Sequence, residues 1–242
     1  MPAAFCLTSV SYDWHRPAVD GSVPEMMSEA TITRIRIAYT KGEALRFIGH
    51  LDLQRLWERL LRRSKLPIRH SRGFHPRPRL NLASALPLGF ISDAELLDFW
   101  MDEPVPIEEI HSRLLKAAPP GLKIHAAQTV EQAEDSLQSQ MYASEYEVVF
   151  FDQTETQGLT QKIGEFLAAD KILRTRRNKT YDLRPLVLNL EIRPVEPGEM
   201  TLWMRLSAQP SATGRPDEVL EQLGFENTQY LVRRTGLILK NG

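Results

Sequence analysis

The stretch ITRIRIAYTKGEALRFIGHLDLQRLWERLLRRS, residues 32–64, decides the fold class of this 242-residue chain. Its first part, around Ile35 and Ile37, alternates apolar with polar residues, which is the period-two pattern of a half-buried β-strand. Apolar residues then recur at spacings of three and four. This pattern predicts a helix over residues 50–64, which Pro67 prevents from continuing. A strand followed by an amphipathic helix indicates a mixed α and β fold.

The pattern of strands and helices continues outward from this stretch. Strands are predicted at residues 79–85, 94–101 and 122–127, with a helix at residues 107–118 whose first turn follows Pro106. The order strand, helix, strand, strand, helix, strand is that of the split βαβ, or ferredoxin-like, motif.

The second half of the chain repeats this order of elements without repeating the sequence. We therefore predict an α+β fold of two tandem ferredoxin-like (βαββαβ) units with antiparallel sheets. The predicted strands of the second half are residues 146–151, a region within 172–193 that forms a hairpin, 200–208 and 230–239, and its helices are residues 159–169 and 216–223.

The domain boundaries follow from composition and periodicity. Residues 1–30 have no sustained period and contain several Pro and Gly residues, so we expect a disordered N-terminal tail, with Met26 or Met27 as alternative starts. The first unit, with a basic cleft, is predicted at residues 31–128, a polar linker at 129–143 and the second unit at 144–242.

Cysteine content and hydropathy restrict the class of protein. Cys6 is the only cysteine, which excludes an intramolecular disulfide, a cysteine-built zinc site and a self-contained iron–sulfur cluster. No apolar run approaches the roughly 18–20 residues that span a bilayer. The start of the chain also lacks the basic and apolar blocks of a signal peptide. We expect a cytoplasmic protein with no membrane contact, no metal and no cofactor.

Charge is strongly segregated along the sequence, although the formal net charge is only −1. Residues 46–79 hold ten basic residues against Asp52 and Glu58, whereas residues 93–109 hold seven acidic residues and no basic one. An excess of arginine of this size favours anion binding, because guanidinium groups bind phosphate oxygens bidentately. The alternative is a solvated helix face whose arginines pair with the acidic strand of the same half.

Two basic clusters are therefore candidate nucleic-acid-binding sites. The first combines the outer face of the predicted helix with the loop at residues 70–79, where His70, Phe74 and His75 can stack on bases. The second cluster, residues 174–184, belongs to the same binding surface or is a basic hairpin that protects a sheet edge. The predicted nucleic-acid-binding residues are Arg46, Arg59, Arg62, Arg63, Arg72, Arg77, Arg79, Arg174, Arg176, Arg177, Lys179 and Arg184.

Histidines supply the candidate catalytic groups, His50, His70 and His75. His50, at the helix start beside Asp52, is either a capping or packing residue or a member of an acid–base or metal-binding set with the two loop histidines. The sequence contains no GxxxxGK[ST], GxSxG or CxxxCxxC motif, so the commonest nucleotide-binding, hydrolase and radical-enzyme signatures are absent.

Short motifs are distributed between residues 32 and 239: Phe47-Ile-Gly-His-Leu-Asp-Leu53, Leu66-Pro67, Gly73-Phe-His-Pro-Arg-Pro78, Ala85-Leu-Pro-Leu-Gly89, Asp182-Leu-Arg-Pro185 and Arg215-Pro216. With these motifs the chain resembles the bacterial radical-SAM-linked proteins, a domain of unknown function found fused behind a radical SAM domain or encoded beside one. The resemblance implies a radical SAM partner. In that family Gly-Phe-Asn-Pro-His-Pro is common at the third motif. Arg77 therefore replaces a histidine here, which argues against a strictly histidine-dependent chemistry at this loop.

Three functional hypotheses follow from the residues and the resemblance. The leading one is an RNA-binding accessory protein that acts with a radical SAM partner, and we expect this non-catalytic binding module rather than an enzyme. The second is a metal-independent RNA-processing or RNA-modifying enzyme with His50 or His75 as base, similar at the level of fold to tandem ferredoxin-like RNA endonucleases. The third is a protein–protein adaptor that docks on the radical SAM partner.

Overall fold

A computed structural model of the chain describes residues 32–151, 158–176, 178–196 and 199–240. The predicted tail at residues 1–30 and the candidate residue Arg177 lie outside the described residues. The described chain forms two compact units that divide in sequence between residues 140 and 141. The first unit comprises residues 32–140 and the second unit residues 141–240.

The first unit is an antiparallel sheet with two main helices. Within the sheet the strand order is β4–β1–β3–β2, and every neighbouring pair is antiparallel. Helix α1 connects β1 to β2, and helix α2 connects β3 to β4. The elements are β1 (Thr33–Lys41), α1 (His50–Arg63), β2 (Leu80–Leu82), β3 (Ile91–Met101), α2 (Ile107–Ala117), β4 (Leu122–Val130) and α3 (Leu137–Gln140).

Both main helices of the first unit pack their apolar sides onto the sheet. Buried side chains of α1, α2, β1, β3 and β4 form one core, in which the rings of Tyr39 and Trp57 meet edge to face with centroids 4.9 Å apart. Asp52 in the first turn of α1 and Arg62 and Arg63 in its last turn complement the helix dipole. This amphipathic packing leaves the polar side of α1 exposed.

The opposite face of this sheet is buried as well, which corrects the prediction that β1 is half-buried. Arg34 Nε donates to Asp98 Oδ2 at 2.9 Å, and Arg36 Nε donates to Asp98 Oδ1 at 2.8 Å. The segment at residues 131–140 contributes Glu134, whose Oε1 lies 2.8 Å from Arg36 Nη1. Charged side chains are accommodated on this face because each is paired and hydrogen-bonded.

The second unit also contains an antiparallel sheet, with strand order β11–β5–β9–β8. The short strand β10 pairs with β9, and β6 pairs with β7 in a separate two-stranded ribbon. The elements are β5 (Met141–Phe150), α4 (Leu159–Ala168), β6 (Leu173–Arg176), β7 (Lys179–Asp182), β8 (Val187–Glu196), β9 (Glu199–Gln209), β10 (Ala212–Thr213), α5 (Pro216–Gln222) and β11 (Tyr230–Leu239).

The predicted α+β class with antiparallel strand pairing is confirmed in the described residues. The segment predicted as a linker, residues 129–143, contains the end of β4, helix α3 and the start of β5. These strands extend into it because Val130 and Met141 are buried. Within the described ranges, no helix has both the length and the apolar character needed to cross a membrane.

Candidate nucleic-acid interface

The exposed side of α1 carries a row of arginines. Trp57 and its apolar neighbours at helical spacing face the core, so Arg55, Arg59 and Arg62 lie on the opposite side and are exposed. Arg55 pairs with Asp52 one turn earlier, with Nη1 3.1 Å from Oδ1. The row is therefore a consequence of the same periodicity that forms the core.

The loop after α1 folds back as a short ribbon. The Arg79 amide donates to the Arg69 carbonyl at 2.8 Å, and the Ser71 amide donates to the Arg77 carbonyl at 2.8 Å. The Ser71 hydroxyl accepts a further hydrogen bond from the Arg77 amide at 3.1 Å. These bonds close the base of the loop and project its tip, where the side chain of Phe74 has a relative exposure of 102%.

The ribbon brings Arg77 beside the exposed side of α1. Together they border an open surface cavity of about 250 Å³, lined by Arg55, Glu58, Arg59, Arg62 and Arg77. Four guanidinium groups and one carboxylate line this cavity, so its lining has a net positive charge.

The arginine side chains of this region differ in whether they form contacts within the protein. The side chains of Arg59, Arg62, Arg72 and Arg77 are exposed, and each lacks an ion pair or hydrogen bond to any residue that the structure describes. The acidic strand β3 does not neutralise them through Asp98, because that carboxylate is bound by Arg34 and Arg36. We call these four residues the free arginine set.

Three other predicted binding residues have structural partners. Arg46 Nε donates to the Gly89 carbonyl at 2.8 Å, and Arg63 Nη2 donates to the Ala117 carbonyl at the end of α2 at 2.7 Å. The guanidinium of Arg79 lies 4.3 Å from the centroid of the Trp100 ring, within cation–π range.

The candidate catalytic histidines lie in two places within the first unit. His70 and His75 are exposed on the loop, whereas His50 is partly buried in the first turn of α1. At about 1.5 Å of rise per residue, His50 lies roughly 18 Å along the helix from Arg62. In the part of the chain that the structure describes, no group of three His, Cys, Asp or Glu side chains is arranged to hold a metal ion.

The second predicted cluster, in the second unit, is largely engaged with acidic groups and carbonyls. Arg174 pairs with Glu218 and Glu221 of α5, and a hydrogen bond from Arg174 to Glu221 raises the pKa of the guanidinium. Arg176 Nε lies 3.9 Å from Glu218 Oε1. Arg184 binds the carbonyls of residues 167 and 187, at 3.0–3.2 Å. Lys179 is exposed.

Two titratable groups were not singled out by sequence. Glu58 lines the cavity although it is only 6% exposed, and its position four residues before Arg62 could have indicated its place on the same side of α1. His125 of β4 lies with Nε2 2.6 Å from Thr40 Oγ1. Burial lowers the pKa of His125, Asp93 acts in the opposite direction, and Lys123 lowers the pKa further.

Comparison with known proteins gives one family and several distant structures. A family model described as "Uncharacterized protein conserved in bacteria (DUF2344)" matches residues 34–216 of the chain. No curated protein matches it.

Two solved structures illustrate the distant matches. A Cbf5-Nop10-Gar1 complex matches with 9% sequence identity and a TM-score of 0.43, over 84% of this chain and 47% of that chain. An H/ACA RNP bound to a substrate RNA containing 2′-deoxyuridine matches with 10% identity and a TM-score of 0.41, over 84% of this chain and 46% of that chain. The chain thus spans about half the length of these proteins.

Proposed function

We propose that this chain, which belongs to the DUF2344 family, is an RNA-binding accessory protein whose first unit holds the binding surface. The observation that carries the proposal is the free arginine set together with the exposed aromatic tip of the loop between Arg72 and Arg77. Exposed arginines without acidic partners are available for phosphate oxygens, and each phosphate bound releases counterions from the nucleic acid.

The exposed Phe74 favours RNA over a globular acidic protein as the ligand of this surface. A fully exposed phenylalanine ring offers both faces to an unpaired base, and base–aromatic stacking tolerates any base. His70 and His75 are exposed on the same loop and can add stacking or hydrogen bonds.

An RNA-processing or RNA-modifying enzyme is the second candidate function. It is favoured by one observation, the exposure of His75 within two residues of Arg77, because a general base beside a phosphate-binding guanidinium suits phosphoryl chemistry. The partnership with a radical SAM protein remains a proposal that rests on the sequence motifs alone. The predicted domain division also remains a proposal.

We also propose that both units are ferredoxin-like. In each unit four main strands follow the order fourth, first, third, second across an antiparallel sheet, with a helix after the first and after the third. This order supports the split βαβ interpretation for both.

The direct test is to purify the full chain from cells and sequence any RNA that accompanies it. The recovered RNA is then titrated against the purified protein by filter binding at several salt concentrations. We expect binding that weakens steeply as salt increases, since phosphate contacts dominate nucleic-acid affinity. The absence of any binding at low salt would falsify the RNA proposal and leave the adaptor hypothesis in its place.

A further inference from the structure

Glu58 is a buried acid in a basic site. It lies on α1 among Arg55, Arg59 and Arg62, faces the same cavity and is 6% exposed. Its carboxylate makes no ion pair and no hydrogen bond with any part of the chain that the structure describes, although a glutamate four residues before an arginine is well placed for a helical pair.

A carboxylate in this position is unfavourable for a site that binds phosphate alone. It reduces the positive potential of the four surrounding arginines, and no described group of the chain donates a hydrogen bond to it. An ionised carboxylate can only accept hydrogen bonds. The complementary ligand therefore carries both an anionic group for the guanidinium groups and a neutral hydrogen-bond donor for Glu58.

We infer that the α1 cavity binds one nucleotide unit of the RNA, with its phosphate on the surrounding arginines and an O–H or N–H donor of the same nucleotide on the Glu58 carboxylate. This inference rests on the proposed RNA binding and deepens it, because it assigns a residue that selects the ligand. The volume of about 250 Å³ lies below the roughly 300–1,000 Å³ of pockets that enclose whole drug-sized ligands, so it suits a part of a longer chain.

Two donors of a nucleotide have the required chemistry. The ribose 2′-hydroxyl is a donor that distinguishes RNA from DNA. Base N–H groups are the other source, as when a carboxylate accepts from N4 of cytosine. Both donors belong to a nucleotide that also carries a phosphate, and the experiment separates them.

The test compares two substitutions of Glu58 that have the same charge and similar volume. Glu58→Gln keeps one acceptor oxygen, whereas Glu58→Met keeps none. Labelled RNA and DNA oligonucleotides of one sequence are titrated by fluorescence anisotropy against the full chain. We expect E58M to bind RNA about three- to tenfold more weakly than E58Q, because this is the affinity that one hydrogen bond contributes. If the donor is the 2′-hydroxyl, the difference disappears on DNA. If it is a base N–H, the difference persists on DNA and changes with homopolymer sequence.

A matched pair at the exposed Asp52, Asp52→Asn and Asp52→Leu, is expected to bind RNA with equal affinity, and thermal melting checks that all four variants are folded. Equal RNA affinity of folded E58Q and E58M overturns the inference, because Glu58 would then act only as a negative charge and both variants would bind RNA more tightly than the unsubstituted protein. That outcome leaves the proposed function intact. A protein that binds no RNA at low salt overturns both.

Discussion

Arg36 Nε lies 2.8 Å from Oδ1 of Asp98, and neither side chain is exposed. The two residues are register partners on adjacent strands β1 and β3, so the pair is fixed by the sheet itself. Arg34 shares the same carboxylate with a contact of 2.6 Å to Oδ2. Asp98 lies on the face of the sheet opposite α1, so this acid of β3 does not pair with the arginines of the helix.

Removing the shared carboxylate is expected to destabilise the first unit strongly. Asp98→Asn leaves the buried guanidinium of Arg34 without a counter-charge and leaves Arg36 with only the partly exposed Glu134, which costs about 3–5 kcal/mol. Urea denaturation measures the change in the free energy of unfolding. Asp102→Asn, which breaks the more exposed pair with Arg69, serves as control and is expected to cost no more than about 1 kcal/mol. Similar losses for both variants would contradict the importance of the buried pair.

The free arginine set is expected to determine the salt dependence of RNA binding. Changing Arg72 and Arg77 together to Ala removes one to two phosphate contacts, so the log–log slope of affinity against salt is expected to decrease by about 0.7 per contact on single strands. Filter binding at several salt concentrations gives the slope. Arg113→Ala is the control, since Arg113 is already bound to Glu109 and the Lys65 carbonyl. An unchanged slope in the double variant would place the phosphates elsewhere.

The aromatic tip is expected to contribute affinity that does not depend on salt. Phe74→Ala removes a stacked base worth about 1–3 kcal/mol, or roughly 5- to 150-fold in affinity, without changing the salt slope. Phe74→Trp is expected to retain binding, whereas Phe74→Leu keeps apolar area but loses the π-face and is expected to resemble Ala. If Leu binds as well as Phe, the contact is hydrophobic and not stacking.

His75→Ala separates the binding protein from the enzyme. A passive binder loses only modest affinity when one exposed imidazole is removed. An enzyme that uses His75 as general base loses about 100-fold or more in rate at unchanged binding. Single-turnover reactions on the co-purifying RNA, run beside the titration, measure both quantities. His70→Ala provides the comparison within the same loop. For both variants we expect only a modest loss of RNA affinity, which is the result for a passive binder.

The lowered pKa of His125 is expected to appear in the pH dependence of stability. Partial desolvation of the His125 ring, which is still solvent-exposed, disfavours the imidazolium, so below the ordinary pKa of 6.5 the unfolded chain binds the proton more tightly than the folded one. The free energy of unfolding therefore decreases as the pH falls through 6.5 toward the folded-state pKa. His125→Gln can keep a hydrogen bond to Thr40 but does not titrate. Urea denaturation from about pH 5 to about pH 8 should give a flatter curve for H125Q, and parallel curves would refute the shift.

Local periodicity predicted most elements well. The bounds of β11 and the first residue of α2, at Ile107 after Pro106, agree with the sequence because strand alternation and an N-terminal proline are local properties. The burial of Arg34 and Arg36 could not be predicted in this way. It depends on Asp98, more than 60 residues away in the chain, and on a segment near residue 134 that looks like a polar linker.

The same limit applies to the candidate site. The sequence indicated the basic loop and helix, but it could not separate Arg62 from Arg46, Arg63 and Arg79, which have identical side chains. The difference lies in tertiary partners, namely a carbonyl at Gly89, the end of α2 and the ring of Trp100. The binding role of the free arginine set stays a prediction until the titrations are made.

The hydrogen bonds between Ser71 and Arg77, and between Arg69 and Arg79, make the loop tip a separable module. The base of the ribbon is anchored to strand β3, because the Arg69 amide donates to the Trp100 carbonyl at 2.8 Å. Residues 72–76 can therefore be exchanged or lengthened at little cost to folding, since loop closure depends only weakly on length. Ligand preference can diverge, or be engineered by loop grafting, independently of the scaffold that carries it.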